Sequence, residues 1–458
     1  MRGGRRRRRG PSRGSRRRGR RRGAGGGGAG RSHRGLAEAV RARVPDHGGI
    51  AAAITAEMGA GIAEARAEAL SIAGKIDGVI AQLDHELPPA APGAPGEQRF
   101  QALGVVGVIG PFNFPVHLCN THVIPTLLVG NTVVLKPSEV TPLAGQRYAE
   151  LFHDAGFPAG VLNVVHGLGE TGAALAAHPG IDGLVFTGSY ATGRRIRQAT
   201  FDQPHKKVSL ELGGRNAAVV LDDADLDQAA REILLGALMT AGQRCTATSR
   251  VIATKGIAEA LLSRLVEAFA RVEAGDPKDG ATLFGPLASV GARDRFVRAL
   301  AEARAAASVE VLVQSVPRSP GAWVTPSLYR VQGDEDHLGE ELFGPHVDFE
   351  VAADEDDAFR RAARTPYGLS ASLFTRREAL VDDFADVVRV GVVNLNRSTN
   401  GASGLLPFGG TGMSGNWAPA GSCAPRLTTF PVAVMSEPHG ARVDNPQLTA
   451  ALAGRAAR

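Results

Sequence analysis

The strongest constraint on the fold is an alternation of short apolar runs with longer helix-type stretches between residues 103 and 272. Strands that alternate with helices in this way form a parallel sheet with helices packed on its faces. The predicted strands are 103–109, 132–135, 161–165, 183–186, 208–212 and 217–221. The predicted helices are 116–128, 142–155, 170–178, 194–200, 225–241 and 257–272.

The chain continues with a second α/β pattern. Its predicted strands are 309–313, 347–351, 371–374 and 388–396, and a further strand is predicted at 428–435 near the chain end. Upstream, the Ala-rich residues 35–83 have helical periodicity, and the Pro-rich residues 87–95 predict a linker or the tip of a hairpin. The 458 residues are enough for two or three domains.

Residues 1–34 form a low-complexity Arg/Gly segment with 15 arginines and no acidic residue. Such a segment cannot bury a core, so we expect it to be disordered. Its composition fits a tail that binds nucleic acid or another anionic surface. It also fits an inert tail or a mis-assigned start codon, which we favour. The remaining residues carry a net charge of −9, which gives no sign of nucleic-acid binding.

The three cysteines, Cys119, Cys245 and Cys423, are an odd number without close pairing. A disulfide framework is therefore not expected, which suits a reducing cytosol. No apolar run approaches the roughly 20 residues of a membrane helix. The basic N-terminus is not followed by the apolar segment of a secretory signal. We expect a cytoplasmic protein.

Cys245 lies in the polar, small-residue stretch TAGQRCTAT (240–248), directly after an apolar run. A lone cysteine is more typical of a buried structural thiol. Here, however, Glu211 follows a predicted strand within VSLELGG (208–214), and a nucleophilic thiol needs such a base nearby. We therefore interpret Cys245 as a nucleophile.

Four further motifs follow predicted strands or open turns. In GVIGPFNFP (107–115), the amide of Asn113 is suited to stabilise an oxyanion, although asparagine is also common in turns. In LKPSE (135–139), Lys136 and Glu139 are suited to hold a ribose, or to form a solvated turn. FTGSYATG (186–193) opens a helix and suits a pyrophosphate, although alone it is a weak signal. ELFGP (341–345) by itself predicts only a loop.

Together, the motifs PFNFP, LKPSE, FTGSxxxG, LELGG, GQRC, ELFGP and PFGG occur in the order found in one family. From about residue 35 to its end, the chain resembles the NAD(P)-dependent aldehyde dehydrogenase superfamily. The resemblance implies an α/β fold with a Rossmann-type NAD-binding domain, an α/β catalytic domain and a small oligomerisation strand region. The implied divisions are a tail (1–34), the NAD-binding domain (35–213, with an oligomerisation hairpin at about 84–102), the catalytic domain (214–413) and an oligomerisation segment (414–458). The Arg/Gly segment stands where the family usually begins with a hairpin and a helix.

The resemblance also implies a role for each motif. Cys245 attacks the aldehyde, Asn113 and the Cys245 amide hold the oxyanion, and Glu211 activates the water that hydrolyses the thioester. Lys136 and Glu139 hold the adenosine ribose, Glu341 the nicotinamide ribose, and Phe343 packs near the nicotinamide. The full set of implied NAD-binding residues is Lys136, Ser138, Glu139, Gly188, Ser189, Tyr190, Ala191, Thr192, Gly193, Gly213, Glu341 and Phe343. The cofactor is NAD, favoured over NADP by Glu139, and no metal is implied.

Segments 110–122, 240–246 and 407–416 look most like the branch of the family that oxidises N-succinyl-L-glutamate 5-semialdehyde in arginine catabolism. That substrate carries two carboxylates, so cations should line its pocket. The candidates are Arg244, Arg397 and His117, with His122 as a further donor, and each is also compatible with a role elsewhere on the surface.

Three alternatives remain open from the sequence. The first is a dehydrogenase of another semialdehyde, such as succinate semialdehyde. The second is a nucleic-acid-binding protein that acts through the basic tail, and the third is a catalytically inactive relative, against which the presence of Cys245 and Glu211 argues. By analogy with the family we expect a homo-oligomer, a dimer or a tetramer, and no membrane partner.

Overall fold

The computed structural model describes residues 28–44, 49–92, 94–333, 338–441 and 444–455. Residues 1–27 of the predicted disordered tail lie outside these ranges. The described chain begins with three helices, α1 (Gly28–Arg43), α2 (Gly49–Met58) and α3 (Ile62–Glu86). Residues 28–34 are therefore helical, which corrects the predicted tail boundary. The helix extends upstream from a face that buries Ala37 and Val40, and propagation from such a packed turn is favourable.

A five-stranded parallel sheet follows strand β1 (Gly96–Ala102). Its strands are β2 (Val105–Ile109), β3 (Thr132–Lys136), β4 (Leu162–Val164), β5 (Gly183–Thr187) and β6 (Lys207–Glu211). They lie in the order β4-β3-β2-β5-β6 and all pair in parallel. The chain thus winds outward on both sides of β2, which creates a crevice at the carboxyl ends of β2 and β5, where this topology binds ligands.

Helices cover both faces of this sheet. They are α4 (His117–Leu128), α5 (Pro142–Asp154), α6 (Gly169–Ala177) and α7 (Tyr190–Ala199). On one face, helices α1 to α5 share a core with the sheet that includes the fully buried Ile54, Ile72 and Tyr148. On the other face, α6 and α7 contribute Ala176 and Ile196 to a smaller core.

The second sheet has seven strands in the order β16-β15-β7-β8-β13-β12-β9, and β9 alone of these pairs antiparallel. The strands are β7 (Asn216–Val220), β8 (Thr248–Thr254), β9 (Val309–Val313), β12 (Ser327–Val331), β13 (His346–Ala352), β15 (Ser370–Phe374) and β16 (Val392–Leu395). The helices are α8 (Leu226–Leu238), α9 (Lys255–Arg271), α10 (Val290–Ala303), α11 (Glu355–Ala362) and α12 (Leu380–Val387). Two-residue strands β10 (Pro317–Arg318) and β11 (Trp323–Val324) pair beside this sheet.

The C-terminal part adds short strands, two helices and one long strand. They are β14 (Tyr367–Gly368), β17 (Pro407–Phe408), β18 (Thr411–Gly412), β19 (Ala420–Gly421), α13 (Ala424–Leu427), β20 (Thr429–Met435) and α14 (Pro446–Arg455). Across the described ranges, no helix combines the length and the apolar character needed to cross a membrane.

Strands β1 and β20 pair with each other, antiparallel from Gly96 opposite Met435 to Ala102 opposite Thr429. This pairing corrects the hairpin predicted at about 84–102, because residues up to Glu86 belong to α3 and a single strand follows the Pro-rich segment. The partner of β1 is instead supplied from the other end of the chain. The result is a two-stranded ribbon that joins neither large sheet.

Candidate active site

A cavity of about 770 Å³ opens at the carboxyl ends of strands β2, β3, β5 and β6. The sequence placed its candidate motifs after these same strands. Of the predicted site residues, those lining the cavity are Asn113, Lys136, Ser138, Glu139, Gly188, Ser189, Thr192, Glu211, Gly213, Cys245, Glu341 and Phe343. The fold therefore brings the Cys245 thiol, the Glu211 carboxylate, the Asn113 amide and the glycine-rich turn to one cavity.

Cys245 lies between helix α8 and strand β8, in a loop with an unusual backbone. Thr240 and Ala241 have φ of 56° and 55°, a region that residues with a Cβ rarely occupy, and Gly242 follows at 69°. Beyond the loop, the Asn216 amide donates to the carbonyl oxygens of Cys245 (2.9 Å) and Ala247 (2.9 Å). Backbone strain of this kind is typical of functional sites, where the surroundings hold it in place.

Glu64 on helix α3 holds this loop from outside. Its carboxylate accepts hydrogen bonds from the Thr240 N–H (3.2 Å) and hydroxyl (2.9 Å), and it forms a short ion pair with Arg244. The Arg244 guanidinium also donates to the Thr240 hydroxyl (2.9 Å) and lies 5.0 Å from the centre of the Phe114 ring. Arg244 is thus engaged in positioning the loop, and it is not among the cavity-lining residues.

Glu211 ends strand β6 and is buried. One carboxylate oxygen accepts a hydrogen bond from the Ala420 N–H (3.3 Å). The other oxygen, Oε2, is buried and has no hydrogen-bond partner in the part of the chain that the structure describes. Burial raises the pKa of Glu211 well above its usual value, and the Ala420 hydrogen bond only partly opposes this shift. A carboxylate with a raised pKa and a free oxygen is suited to take a proton from water.

Burial also acts on the thiol of Cys245, raising its pKa to about 12, and the charges of Glu341 and Glu211 act in the same direction. The free protein therefore holds Cys245 as a thiol and not as a thiolate. All three cysteines are free, and Cys119 and Cys423 do not line the cavity.

Glu341 and Phe343 approach the cavity from the loop that precedes β13. Glu341 Oε1 accepts a hydrogen bond from the Gly214 N–H (3.1 Å), and burial raises its pKa to about 8. A Cβ at Gly213 would lie 2.0 Å from Glu341 Oε2, so this close approach requires glycine. Phe343, with φ of 53°, packs its ring 5.7 Å from that of Phe112, next to Asn113. Asn113 itself is buried.

The other end of the cavity has the character of a nucleotide site. Lys136 at the end of β3 is buried and donates to the Pro137 carbonyl (3.0 Å) and to Glu139 Oε2 (3.2 Å). The Glu139 side chain is half exposed. Burial would raise its pKa, but its own backbone and Lys136 together lower it, so Glu139 is a carboxylate that faces the cavity.

The glycine-rich turn 186–193 leads into helix α7. Ser189 is its N-cap and accepts a hydrogen bond from the Thr192 N–H (3.4 Å). A Cβ at Gly188 would lie 2.5 Å from the Phe186 ring, so the turn is tight against the strand. Of the predicted residues in this turn, Tyr190, Ala191 and Gly193 are not among those lining the cavity, and Gly193 packs against Leu212. The N-terminus of helix α7, the Glu139 carboxylate and the crevice between β2 and β5 together suit the binding of a dinucleotide.

The predicted substrate cations do not converge on this cavity. Arg397 is exposed, and neither it nor His117 lines the cavity. His117 begins helix α4 and lies 2.9 Å from the Ser71 hydroxyl. The structure adds lining residues that the sequence did not single out, among them Glu170, Arg195, Gln243 and Arg295. Gln243 lies within the GQRC motif, whereas Glu170, Arg195 and Arg295 belong to no motif and reach the cavity only because helices α6, α7 and α10 fold beside it.

Comparisons with known proteins identify the family of this chain. The sequence profile of the aldehyde dehydrogenase family matches residues 33–424. N-succinylglutamate 5-semialdehyde dehydrogenase 1 of Caulobacter vibrioides is 41% identical over 407 residues, 88% of this chain and 85% of that protein. The N-succinylglutamate 5-semialdehyde dehydrogenase of Pseudomonas fluorescens is 40% identical over 331 residues, 72% of this chain and 68% of that protein.

Solved structures give the same result at the level of the fold. Gamma-glutamyl-gamma-aminobutyraldehyde dehydrogenase from Burkholderia cenocepacia superposes with a TM-score of 0.83 at 32% identity, covering 88% of this chain and 84% of that one. PnpE in complex with nicotinamide adenine dinucleotide superposes with a TM-score of 0.83 at 30% identity, covering 91% and 88%.

Proposed function

Since this chain belongs to the aldehyde dehydrogenase family and is an oxidoreductase that acts on aldehydes, we propose that it oxidises N-succinyl-L-glutamate 5-semialdehyde to N-succinyl-L-glutamate in arginine catabolism. The observation that carries the proposal is a single cavity with the Cys245 thiol and the unpartnered Glu211 oxygen beside a dinucleotide-type crevice. The identity of about 40% to relatives with that named activity supports the substrate.

We propose NAD as the electron acceptor. The residues placed to hold it are Lys136 and Glu139 at the adenosine ribose, the turn at Gly188 and Ser189 at the pyrophosphate, and Glu341 at the nicotinamide ribose. The Glu139 carboxylate is suited to accept a hydrogen bond from a ribose 2′-hydroxyl and to repel a 2′-phosphate. When bound, NAD supplies a hydride acceptor.

In the proposed first half-reaction, the Cys245 sulfur attacks the aldehyde carbon and a C–S bond forms. The thiol proton passes to solvent, and the carbonyl electron pair moves to oxygen. The Asn113 amide and the Cys245 N–H donate hydrogen bonds to this oxyanion. Loss of a hydride to the acceptor then restores the carbonyl and leaves a thioester on Cys245.

In the second half-reaction, Glu211 takes a proton from a water molecule that attacks the thioester carbon. The C–S bond breaks, the carboxylate product leaves, and Cys245 regains a proton. The burial of Glu211 suits this role, because a base with a raised pKa is stronger than an ordinary carboxylate.

We also propose that the protein is a homo-oligomer that acts in the cytoplasm. The ribbon of β1 and β20 is largely exposed and bears Phe430 and Met435, each more than half exposed. An isolated two-stranded ribbon is marginally stable in water, so pairing with another subunit would stabilise it. A reducing compartment keeps Cys245 in its thiol form.

The direct test is NADH formation by the purified full chain. The substrates are N-succinyl-L-glutamate 5-semialdehyde, succinate semialdehyde and an uncharged aldehyde of similar length to the first, each with NAD and with NADP. We expect the highest kcat/KM for the first substrate with NAD. Comparable kcat/KM for all three aldehydes would overturn the substrate proposal, and a preference for NADP would overturn the role of Glu139.

A further inference from the structure

On helix α3, Ser71 faces helix α4, while Lys75, Gly78 and Gln82 face the segment 404–405. Gln82 donates to the Leu405 carbonyl (2.7 Å), and a Cβ at Gly78 would lie 3.1 Å from the Leu405 side chain. One turn earlier, a Cβ at Gly404 would lie 3.1 Å from the Lys75 ammonium nitrogen. Lys75 therefore projects from α3 into the space beneath this segment, where it is half-buried.

Lys75 has no ion-pair partner in the described ranges. The nearby acids of α3 are already used, because Glu64 binds Arg244 and Thr240, and Glu68 accepts from the N–H groups of Val116 and His117 (both 2.9 Å). A partly buried ammonium group without a counter-charge is costly, and binding of an anion relieves that cost.

The electrostatics of helix α4 reflect this unpaired charge. Burial lowers the pKa of His117 to about 4 and that of His122 to about 3, and the Lys75 charge contributes to both shifts. Burial lowers the pKa of Lys75 itself to about 8. At neutral pH the two histidines are therefore uncharged. Lys75 is the charged member of the cluster formed by Lys75, His117 and His122.

A continuous row of side chains links this cluster to the nucleophile. Arg244 precedes Cys245 and stacks on Phe114, whose ring centre lies 6.2 Å from that of His117. His117 in turn lies against Ser71, one helical turn from Lys75. None of Lys75, His117 and His122 lines the cavity that contains Cys245, so the cluster lies outside the dinucleotide-type crevice.

We propose that Lys75 is a specificity-determining residue that binds the carboxylate of the substrate remote from its reacting aldehyde. This inference rests on the proposed function, because it assigns the recognition of an anionic aldehyde to a site that Arg244 does not supply. Arg244 is already neutralised by Glu64, whereas the Lys75 charge is available to a ligand.

The test compares Lys75→Gln, Lys75→Arg and a matched control, Arg66→Gln, which removes an exposed cation from the same helix. For N-succinyl-L-glutamate 5-semialdehyde we expect Lys75→Gln to raise KM about 10- to 100-fold, the range for loss of one charge-assisted hydrogen bond, with little change in kcat. Kinetics with an uncharged aldehyde of similar length should be unchanged. Lys75→Arg should recover most of the affinity, and Arg66→Gln should behave as wild type.

A second readout avoids turnover. Calorimetric titration with the product, N-succinyl-L-glutamate, should show equal affinity for the wild type and for Arg66→Gln. In Lys75→Gln, the dissociation constant of the product should rise by the same factor as KM. If Lys75→Gln does not fold, Lys75→Met keeps the aliphatic stem without the charge and takes its place. Equal losses for charged and uncharged aldehydes, or no change for either, would overturn the role of Lys75. A wild type without preference for the dicarboxylic aldehyde would instead overturn the proposed substrate.

Discussion

At the scale of single residues, the assignment of Cys245 as nucleophile predicts that its substitution abolishes aldehyde oxidation but leaves NAD binding unchanged. Cys245→Ala removes the sulfur that forms the thioester, so aldehyde oxidation should fall to background. The groups assigned to the nucleotide lie on other elements, so NAD should bind with wild-type affinity, as measured by calorimetry. Cys423→Ala is the control, because that thiol does not line the cavity. Appreciable turnover by Cys245→Ala would exclude the mechanism.

Glu211 should act after the hydride has left. In Glu211→Gln we therefore expect a rapid burst of about one NADH per subunit followed by slow turnover, seen by stopped-flow absorbance. In the wild type, the raised pKa means that Glu211 is protonated to a higher pH than an ordinary carboxyl, and only its carboxylate form accepts a proton. Hydrolysis should therefore weaken as pH falls through that raised pKa, with the burst retained. Steady-state turnover of Glu211→Gln equal to wild type would contradict this role.

The sequence alone predicts those site residues that lie in a recognisable short motif. Cys245, Glu211 and Asn113 each lie in a short motif, and the structure brings all three to one cavity. Glu64 and Lys75 lie in no such motif, because they belong to an ordinary amphipathic helix. Glu64 acts on a loop 176 residues away, and that relation exists only after folding.

At the scale of elements, two helices near the site have N-termini capped by glutamates from other helices. Glu68 of α3 accepts from the first N–H groups of α4, and Glu57 of α2 accepts from Leu143 (2.8 Å) and Ala144 (2.9 Å) of α5. Neither α4 nor α5 has a side-chain N-cap of its own. A carboxylate at this position also interacts favourably with the helix dipole. Asn113, the proposed oxyanion donor, lies four residues before the start of α4, so we expect Glu68 to help position it.

Glu68→Ala should lower the free energy of unfolding by about 1–3 kcal/mol, because it leaves buried N–H groups unsatisfied. Glu68→Gln keeps an acceptor and should cost less. Urea unfolding followed by circular dichroism measures both, and Glu57→Ala gives the corresponding value at α5. If Glu68→Ala were as stable as the wild type, water would be replacing Glu68 as the acceptor for the N–H groups of Val116 and His117.

The same residue predicts a pH dependence. Burial raises the pKa of Glu68 from 4.5 to about 7, against the hydrogen bonds from α4. The folded state then holds a proton that the unfolded state has lost, so wild-type stability should decrease as pH rises from 4.5 to 7. Glu68→Gln should lack this component of the slope, and parallel pH profiles for the two proteins would contradict the shift.

The predicted strands of the first sheet agree with the structure because each run is mainly apolar, although Asn163, Ser209 and Glu211 interrupt two of them. Strand β8, at the centre of the second sheet, was not predicted, and its sequence explains why. Arg250 interrupts the apolar pattern of this strand, yet it is buried and pairs with Glu350 (3.0 and 2.7 Å) on the neighbouring strand β13. A charged residue inside a strand signals solvent exposure unless its partner is known, and the partner lies 100 residues away.

At the scale of the whole molecule, the α/β class and the ligand-binding edge follow from the alternation of elements. Parallel strands joined by helices place all carboxyl ends at one edge, and loops after those strands meet there. The pairing of β1 with β20 does not follow, since it joins residues more than 300 positions apart. The hairpin that the resemblance implied at about 84–102 is wrong for this reason. The Pro-rich residues were compatible with a linker or a chain reversal, and the partner of β1 comes from the other end of the chain.

The exposed ribbon leads to a prediction about assembly. Size-exclusion chromatography with light scattering should give a dimer or a tetramer of the 47.6 kDa chain. Phe430 and Met435 on β20 are 63% and 65% exposed, so a carboxylate at each position would be tolerated by the isolated subunit but not in an apolar contact. The double variant Phe430→Asp and Met435→Asp should therefore shift the protein toward monomer. The control is Phe201→Asp, because Phe201 is 82% exposed and lies outside the ribbon. A monomeric wild type, or equal masses for all three proteins, would show that Phe430 and Met435 do not mediate assembly.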